Sequence, residues 1–337
     1  MIDRIVDYFK HLEEIGIYST LRFLNYGQKI SFLLTIIKGK ANREFFIKGG
    51  THYHEQTFYI IRRNNSRVGL FSMYITTAGH IKYALDKGYV PIVDMCNYHN
   101  AYQEEADHGK VNSWEYFFFQ PQDYSLSDAY SGKNIILSNI LPTEIRPNDS
   151  MAFLRNKDGL LNEWRKMICR YIKVSPYIQE EVNKIFENFS DGGKTKVLGV
   201  LCRGTDYIKL KPKGHPIQPN ISELFDKVDE IKMKYKCDKI FLATEDASYE
   251  NAFKKRYGNC LLTIIEKKVD YSGGYLSDTI NDQKQETKIS TGLNYLKKIL
   301  LLSKCQCFVA GRTSGTVGVM LQDHNFECTY FFDKGSY

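Results

Sequence analysis

From residue 197 to residue 332 short apolar runs alternate with amphipathic helical patterns, and this alternation constrains the fold more than any other feature of the chain. Val197–Cys202 is apolar, too short for a helix and preceded by polar residues, so it is predicted as a buried strand. Ile221, Leu224, Phe225, Val228, Ile231 and Tyr235 then recur at helical spacing, which predicts a helix over 221–236. The alternation continues with a strand at 239–243, a helix at 248–257 and a strand at 261–265. A long helix at 286–303, a strand at 307–310, a helix at 315–322 and a strand at 328–332 complete it. Strands spaced by helices in this way pair in parallel, with crossover helices on both faces. The expected class is α/β, with a parallel sheet in the C-terminal part.

A chain of 337 residues is long enough for two domains. The polar, Gly-containing segment Asn188–Lys196 precedes the first strong apolar run, so the boundary is expected near 190, giving domains 1–190 and 191–337. The first part is less regular. Arg67–Ser72 leads into a helix to about Lys87, with Met73, Thr77, Ile81, Ala84 and Leu85 on one face; Gly88 stops it and Val90–Met95 is a strand. A second helical region is expected over 150–188. Residues 96–145, rich in Tyr, Phe, Trp and Asn, read as long functional loops more than core elements.

Composition narrows the partners. With 43% apolar and 25% charged residues the chain is neither disordered nor collagen-like. Forty-six Lys and Arg against 39 Asp and Glu give +7, read as spread along the chain with no block of five like charges. A nucleic-acid tail is therefore not expected, whereas a polyanionic small molecule or an anionic membrane surface suits the balance. The apolar stretch Ile30–Ile37 is far short of the ~20 residues of a membrane span. Met1–Glu14 is charged and amphipathic, so it does not read as a secretory signal. It is expected to pack as a helix, peripheral membrane contact through Tyr8 and Phe9 being the alternative. Eight scattered cysteines without a C-x-x-C read as buried, reduced thiols of a cytoplasmic protein, with no metal site.

In a parallel α/β sheet, ligands bind outside the carboxyl ends of the strands. Three polar loops are expected there: Arg203-Gly204-Thr205-Asp206, Thr244-Glu245-Asp246 and Gly311-Arg312-Thr313-Ser314-Gly315-Thr316. Together they suit a nucleotide diphosphate. Arg203 offers a planar fork of donors for phosphate oxygens. The Gly/Thr/Ser loop before a helix offers backbone N–H groups and hydroxyls to an anion. Glu245 and Asp246 accept from ribose or base. Each loop also has a plain structural reading, as an Arg–Asp pair holding a turn or as helix capping. There is no P-loop signature and no G-x-G-x-x-G after the first strand of this half.

Here the chain resembles a known family. Val200–Asp206, followed by His215-Pro216, resembles the His-x-Arg-Arg-Thr-Asp motif and downstream His-Pro of fucosyltransferases, in the pattern of the α1,6 and nodulation enzymes. Phe241–Asp246 resembles their strand ending in Ala-Thr-Asp-Asp. Leu302–Val309 followed by Thr313 and Ser314 resembles their last donor segment, and Gly69–Ser72 resembles their Gly-rich entry loop. The resemblance implies a GT-B architecture, two Rossmann-like domains facing a cleft. It also implies GDP-fucose as donor substrate, inversion, and neither metal nor cofactor. Arg203 would neutralise the β-phosphate; Ser314 would bind phosphate and His215 would shape the pocket. Asp206, Thr244, Glu245, Asp246, Thr313, Gly315, Thr316, Gly69 and Ser72 complete the expected donor site.

The pattern is broken in places. Leu201 stands where the motif has its first His, Gly204 where it has its second Arg, Lys211 where the α1,6 enzymes have a proposed general base, and Lys298 near where they carry an Asp. The base is then sought in the first half, among Asp94, Glu115 and His99. Lys209, Lys211 and Lys213 would add to phosphate neutralisation. The aromatic stretch 96–122 reads as a platform for the acceptor sugar, with Tyr98 and Trp114 foremost, or else as a hydrophobic plug. The expected function is fucose transfer from GDP-fucose to a glycan or lipid-linked oligosaccharide in bacterial surface-polysaccharide synthesis, by a cytoplasmic protein for which peripheral contact with the inner membrane is the alternative. A different nucleotide-sugar donor, or a non-catalytic nucleotide-sugar-binding protein, is the alternative.

Overall fold

A computed structural model describes residues 21–22, 24–37, 43–48, 50–62, 68–98, 100–204, 210–264 and 288–337. The chain divides into two compact units. Among the described residues, the first takes the chain up to Pro147 together with Met167–Val174 and 288–289; the second takes Asn148–Lys166, the rest from Ser175 to 264, and Ser290–Tyr337. The division thus falls well before residue 190. The polar stretch 188–196 is a turn inside the second unit, because the helix preceding it packs there: Phe189 meets Phe241 at 5.3 Å and Lys297 pairs with Glu181 at 2.6 Å.

The first unit contains α1 (Tyr26–Ile37), β1 (Phe45–Lys48), β2 (His52–Arg62), α2 (Leu70–Asp86), β3 (Val90–Asp94), α3 (Leu126–Ser131) and β4 (Gly132–Leu137). Its sheet runs β1-β4-β2-β3, parallel except for the β1–β4 pair. Alternating residues Phe58, Ile60, Ile92, Ile135 and Leu137 form a core with Phe32 of α1 and Tyr130 of α3. On the other face Tyr59 donates to His80 Nδ1 of α2 at 3.2 Å. The edge strand β3 is closed by side-chain amides instead of a neighbouring strand. Gln120 Oε1 accepts from Val93 N at 2.9 Å, and the Gln120 and Asn112 amides donate to Val93 O at 3.0 and 2.8 Å. A covered edge cannot recruit another chain.

Residues 96–145 therefore differ from the loops expected of them. They supply α3, the inner strand β4, and a packed aromatic cluster. The strands β1 and β2 were likewise not anticipated. The helical region after 150 is broken into α4 (Met151–Leu154), α5 (Leu160–Tyr171) and α6 (Pro176–Phe189), the last starting at a proline that suits a first helical turn.

The second unit follows the sequence closely: β5 (Val197–Leu201), α7 (Ile221–Tyr235), β6 (Lys239–Ala243), α8 (Ala247–Tyr257), β7 (Leu261–Leu262), α9 (Lys288–Leu302), β8 (Cys307–Gly311), α10 (Ser314–Met320) and β9 (Cys328–Phe332). Its five-stranded sheet among the described residues has the order β7-β6-β5-β8-β9, every pair parallel. Leu198, Val200, Ile240, Leu242, Cys307 and Val309 face Leu224, Val228 and Ile231 of α7 and Phe253 of α8. Asn220 and Glu223 cap α7 reciprocally, and Lys236 ends it in the left-handed conformation. The eight cysteines are free; five are buried, Cys169 and Cys260 are exposed and Cys328 is intermediate. No described helix is long and apolar enough to cross a membrane.

Candidate functional site

The order of the second sheet fixes where a ligand would sit. Chain progression goes outward from β5 to β6 and β7 on one side, then returns to β8 and β9 on the other. The switch therefore lies between β5 and β8, and the crevice of such a sheet opens outside their carboxyl ends. Leu201 is in register with both Ala243 and Ala310, so Arg203, Glu245 and Arg312 each stand two residues past matched positions on adjacent strands. The described residues of the three loops expected to converge follow strand ends at one edge.

Arg203 and Glu245 are both half-buried, with Arg203 Nε 3.9 Å from Glu245 Oε1. That is too long for a hydrogen bond but close enough for charge attraction. Gly204 lies against the next loop: a Cβ there would come within 2.6 Å of Asp246 Oδ2 and 2.9 Å of Tyr249. This gives a steric reason why no second arginine stands at 204. Asp246 caps α8, accepting from Ser248 N at 2.8 Å and Tyr249 N at 3.3 Å, while its own N–H donates to Thr244 Oγ1 at 3.1 Å. Thr244 and Asp246 thus shape the loop, and Glu245 carries its acidic group at the rim.

The loop after β8 is similarly divided. Thr313 Oγ1 accepts from Thr316 N at 3.1 Å, and the buried Thr316 hydroxyl donates to Gly311 O at 2.5 Å. These two expected donor ligands are spent on the turn, Gly315 is buried beside them, and Ser314 is half-buried. Gln218, which sequence reading passed over, joins the two sides of the switch: its Nε2 donates to Pro216 O and Arg312 O, both at 3.1 Å. A Cβ on Gly311 would lie 2.1 Å from its Oε1, so only glycine admits this amide. A lone Gln between two prolines offers no signal of that role. Arg312, named in that loop without a role, donates to Asp149 O and pairs with Asp333 at 2.9 Å, pinning the end of β9. His215 is exposed, and its carbonyl accepts from Tyr337 N at 3.1 Å. Asp206 and Lys209 lie outside the described residues; Lys211 and Lys213 are exposed.

The first-unit expectations fare differently. Asp94 is fully buried and accepts from Cys96 N, Asn97 N, Asn97 Nδ2 and Tyr130 OH at 2.7–3.0 Å. Burial pushes its carboxyl above the usual carboxylate range, against the pull of those donors. Its surroundings make it a loop anchor rather than a base reaching an acceptor. Tyr98 and Trp114 are also fully buried; Trp114 packs on Phe118 at 4.6 Å and donates to Phe119 O at 3.0 Å. Neither can present a ring face to a sugar, so the platform expectation is corrected to a packed aromatic core of this unit. Glu115, by contrast, is exposed, accepting from Asn112 Nδ2 at 3.0 Å and Gln120 Nε2 at 2.8 Å. Gly69 precedes α2 with ordinary backbone angles and open space around it, and Ser72 is half-exposed in the first turn. His99, Tyr8 and Phe9 fall outside the described residues. No cluster of three or more possible metal ligands occurs among the described residues.

No protein-family model and no curated protein matches the chain. Solved structures do. The chain is similar in fold to solved fucosyltransferases. NodZ alpha-1,6-fucosyltransferase soaked with GDP-fucose is 17% identical over 80% of this chain and 93% of that one, with a TM-score of 0.47. NodZ from Bradyrhizobium is 16% identical over 79% and 92%, TM-score 0.45. An Arabidopsis thaliana FUT1 variant in complex with GDP is 11% identical over 84% and 72%, TM-score 0.45.

Proposed function

We propose that this protein is a metal-independent, inverting glycosyltransferase that moves fucose from GDP-fucose to a glycan acceptor in surface-polysaccharide synthesis. The observation that carries the reading is the solvent-reachable Arg203 at the switch between β5 and β8, with Glu245 3.9 Å away and Ser314 in the loop opposite. The motif resemblance of Val200–Asp206 and His215-Pro216 supports GDP-fucose as the donor. In this reading an acceptor hydroxyl oxygen attacks the anomeric carbon while the bond from that carbon to the β-phosphate oxygen breaks. Negative charge grows on the departing diphosphate, where the Arg203 guanidinium neutralises it; such a donor is worth ~10²–10³ in rate. Ser314 and Asp206 hold the diphosphate side, Glu245 accepts from the ribose, and His215 shapes the pocket. Glu115 is the proposed base that takes the acceptor's proton, because it is the exposed carboxylate of the two candidates.

A second reading is a nucleotide-sugar-binding protein without turnover. Lys211 in the place of the family's proposed base, and the enclosure of Asp94, favour it. Calorimetric titration with GDP, UDP and dTDP tests the donor: tight GDP binding is expected, and none would end the fucose reading. Release of fucose from GDP-fucose, lost in Arg203→Ala with GDP binding merely weakened, identifies an enzyme. GDP binding with no turnover on any acceptor identifies a binder.

A further inference from the structure

Helix α1 is apolar on two sides, and the first sheet covers one of them. Phe32 and Ile36 are buried in the core, Phe32 stacking on Phe45 of β1 at 5.7 Å. At 3.6 residues per turn, Tyr26, Ile30, Leu33 and Leu34 fall together on the far side. They are 81%, 45%, 44% and 51% exposed. Apolar residues exposed singly need no explanation, but a stripe of four on one helix does.

Charge says what covers that stripe. Between Leu21 and Lys48 the sequence carries Arg22, Lys29, Lys38, Lys40, Arg43 and Lys48 against the single acid Glu44. The helix and the stretch around it in sequence are thus strongly basic. Self-association through this surface would bring like charges together. A bilayer of anionic phospholipid offers a partner for both features, an apolar interior for the stripe and phosphates for the rim. The 12-residue helix is ~18 Å long, well short of a ~30 Å hydrocarbon core, so it can lie in the interface but not span it.

We infer that α1 is an interfacial membrane-binding helix. Its Tyr26–Ile30–Leu33–Leu34 face enters the headgroup layer of an anionic phospholipid surface, and Lys29 of the same helix, with the basic residues next to it in sequence, pairs with lipid phosphates. The inference stands apart from the proposed chemistry and survives if that fails.

The test is co-sedimentation of the full chain with vesicles of phosphatidylcholine alone and of phosphatidylcholine mixed with phosphatidylglycerol. Binding to the mixed vesicles is expected to be at least about tenfold tighter and to fall at high salt. The pair Leu33→Glu and Leu34→Glu should abolish it while circular dichroism and the melting temperature stay unchanged. Should that pair fail to fold, Tyr26→Ser, at the most exposed position, should still weaken binding in a folded protein. Equal binding to both vesicles, or none, overturns the inference. So does a dimer in light scattering that these substitutions dissociate without any vesicle binding. A lowered melting temperature in Tyr26→Ser with vesicle binding intact also overturns it, because the face would then be covered by the chain itself.

Discussion

Each unit ends its parallel strands with an arginine and an acid, and the two pairs meet opposite fates. Arg62 and Asp94 are register partners on β2 and β3, and both are fully buried. Arg62 donates to the Ser138 and Arg43 carbonyls, each at 2.7 Å, and Asp94 gathers four donors from the chain that follows it and from Tyr130. Burial drives the Asp94 carboxyl up and the Arg62 guanidinium down. Arg203 and Glu245 occupy the corresponding edge of the second sheet, yet keep 29% and 22% of their side chains exposed. The first edge is closed by residues 95–122, whose amides serve as hydrogen-bond partners. An arginine and an acid at strand ends are therefore a site only where solvent, and hence a ligand, can reach them.

The largest effects should separate the two edges cleanly. Arg203→Ala should cut turnover ~10²–10³-fold in a donor-hydrolysis assay, with the urea midpoint nearly unchanged because the side chain is half-exposed. Asp94→Ala should do the reverse. It strips a buried acceptor from four donors, and a loss of about 3–5 kcal/mol in urea unfolding is expected. If Asp94→Ala kept its stability and lost only turnover, the contrast between a closed and an open edge would collapse.

That contrast also marks how far the sequence could be read. The second unit was legible because each strand is a pure apolar run bounded by polar loops, as a strand buried on both faces must be. Its strands at 239–243 and 328–332 match the structure at both ends. In the first unit β2 begins His-Tyr-His-Glu-Gln-Thr, half-exposed residues with no period, and β4 begins Gly-Lys-Asn. Such strands owe their place to pairing partners distant in the sequence, which local pattern does not carry. The same blindness affected the site. Arg203, Glu245 and Ser314 could be singled out as candidates because strand ends locate them, whereas Gln218 acts through a tertiary contact. Tyr98 and Trp114 misled because an aromatic-rich loop looks alike whether it binds a sugar or packs upon itself.

A smaller effect probes the contact between two loops of the open edge. Gly204→Ala places a methyl 2.6 Å from Asp246 Oδ2, so the carboxylate must turn and loosen its hold on the first turn of α8. Loss of that cap should cost about 1 kcal/mol in urea unfolding. GDP affinity should fall with it, since Arg203 and Glu245 flank the displaced groups. Stability lost with affinity unchanged would mean that the loops touch without sharing a ligand.

The least effect concerns the opposite, amino-terminal edge of the second sheet, where no ligand is expected. His324 donates through Nε2 to Cys305 O at 3.0 Å and packs edge-on against Phe326 at 4.9 Å. Burial holds its pKa below the ordinary 6.5, with Lys304 and Arg165 pressing the same way and the Cys305 carbonyl and Asp323 opposing. Above about pH 6.5 the ring is neutral whether the chain is folded or not, so its contribution to stability is complete. As pH falls below that value the unfolded chain takes up the proton first, and stability drops until the folded histidine's own lower pKa is passed. The slope can reach about 1.4 kcal/mol per pH unit for one proton. His324→Gln should flatten that part of the urea-stability profile, while GDP affinity measured over the same range is the same in both proteins. If the substitution changed GDP affinity instead, the amino-terminal edge would be coupled to the carboxyl edge, and the division between a structural and a ligand-bearing end of this sheet would fail.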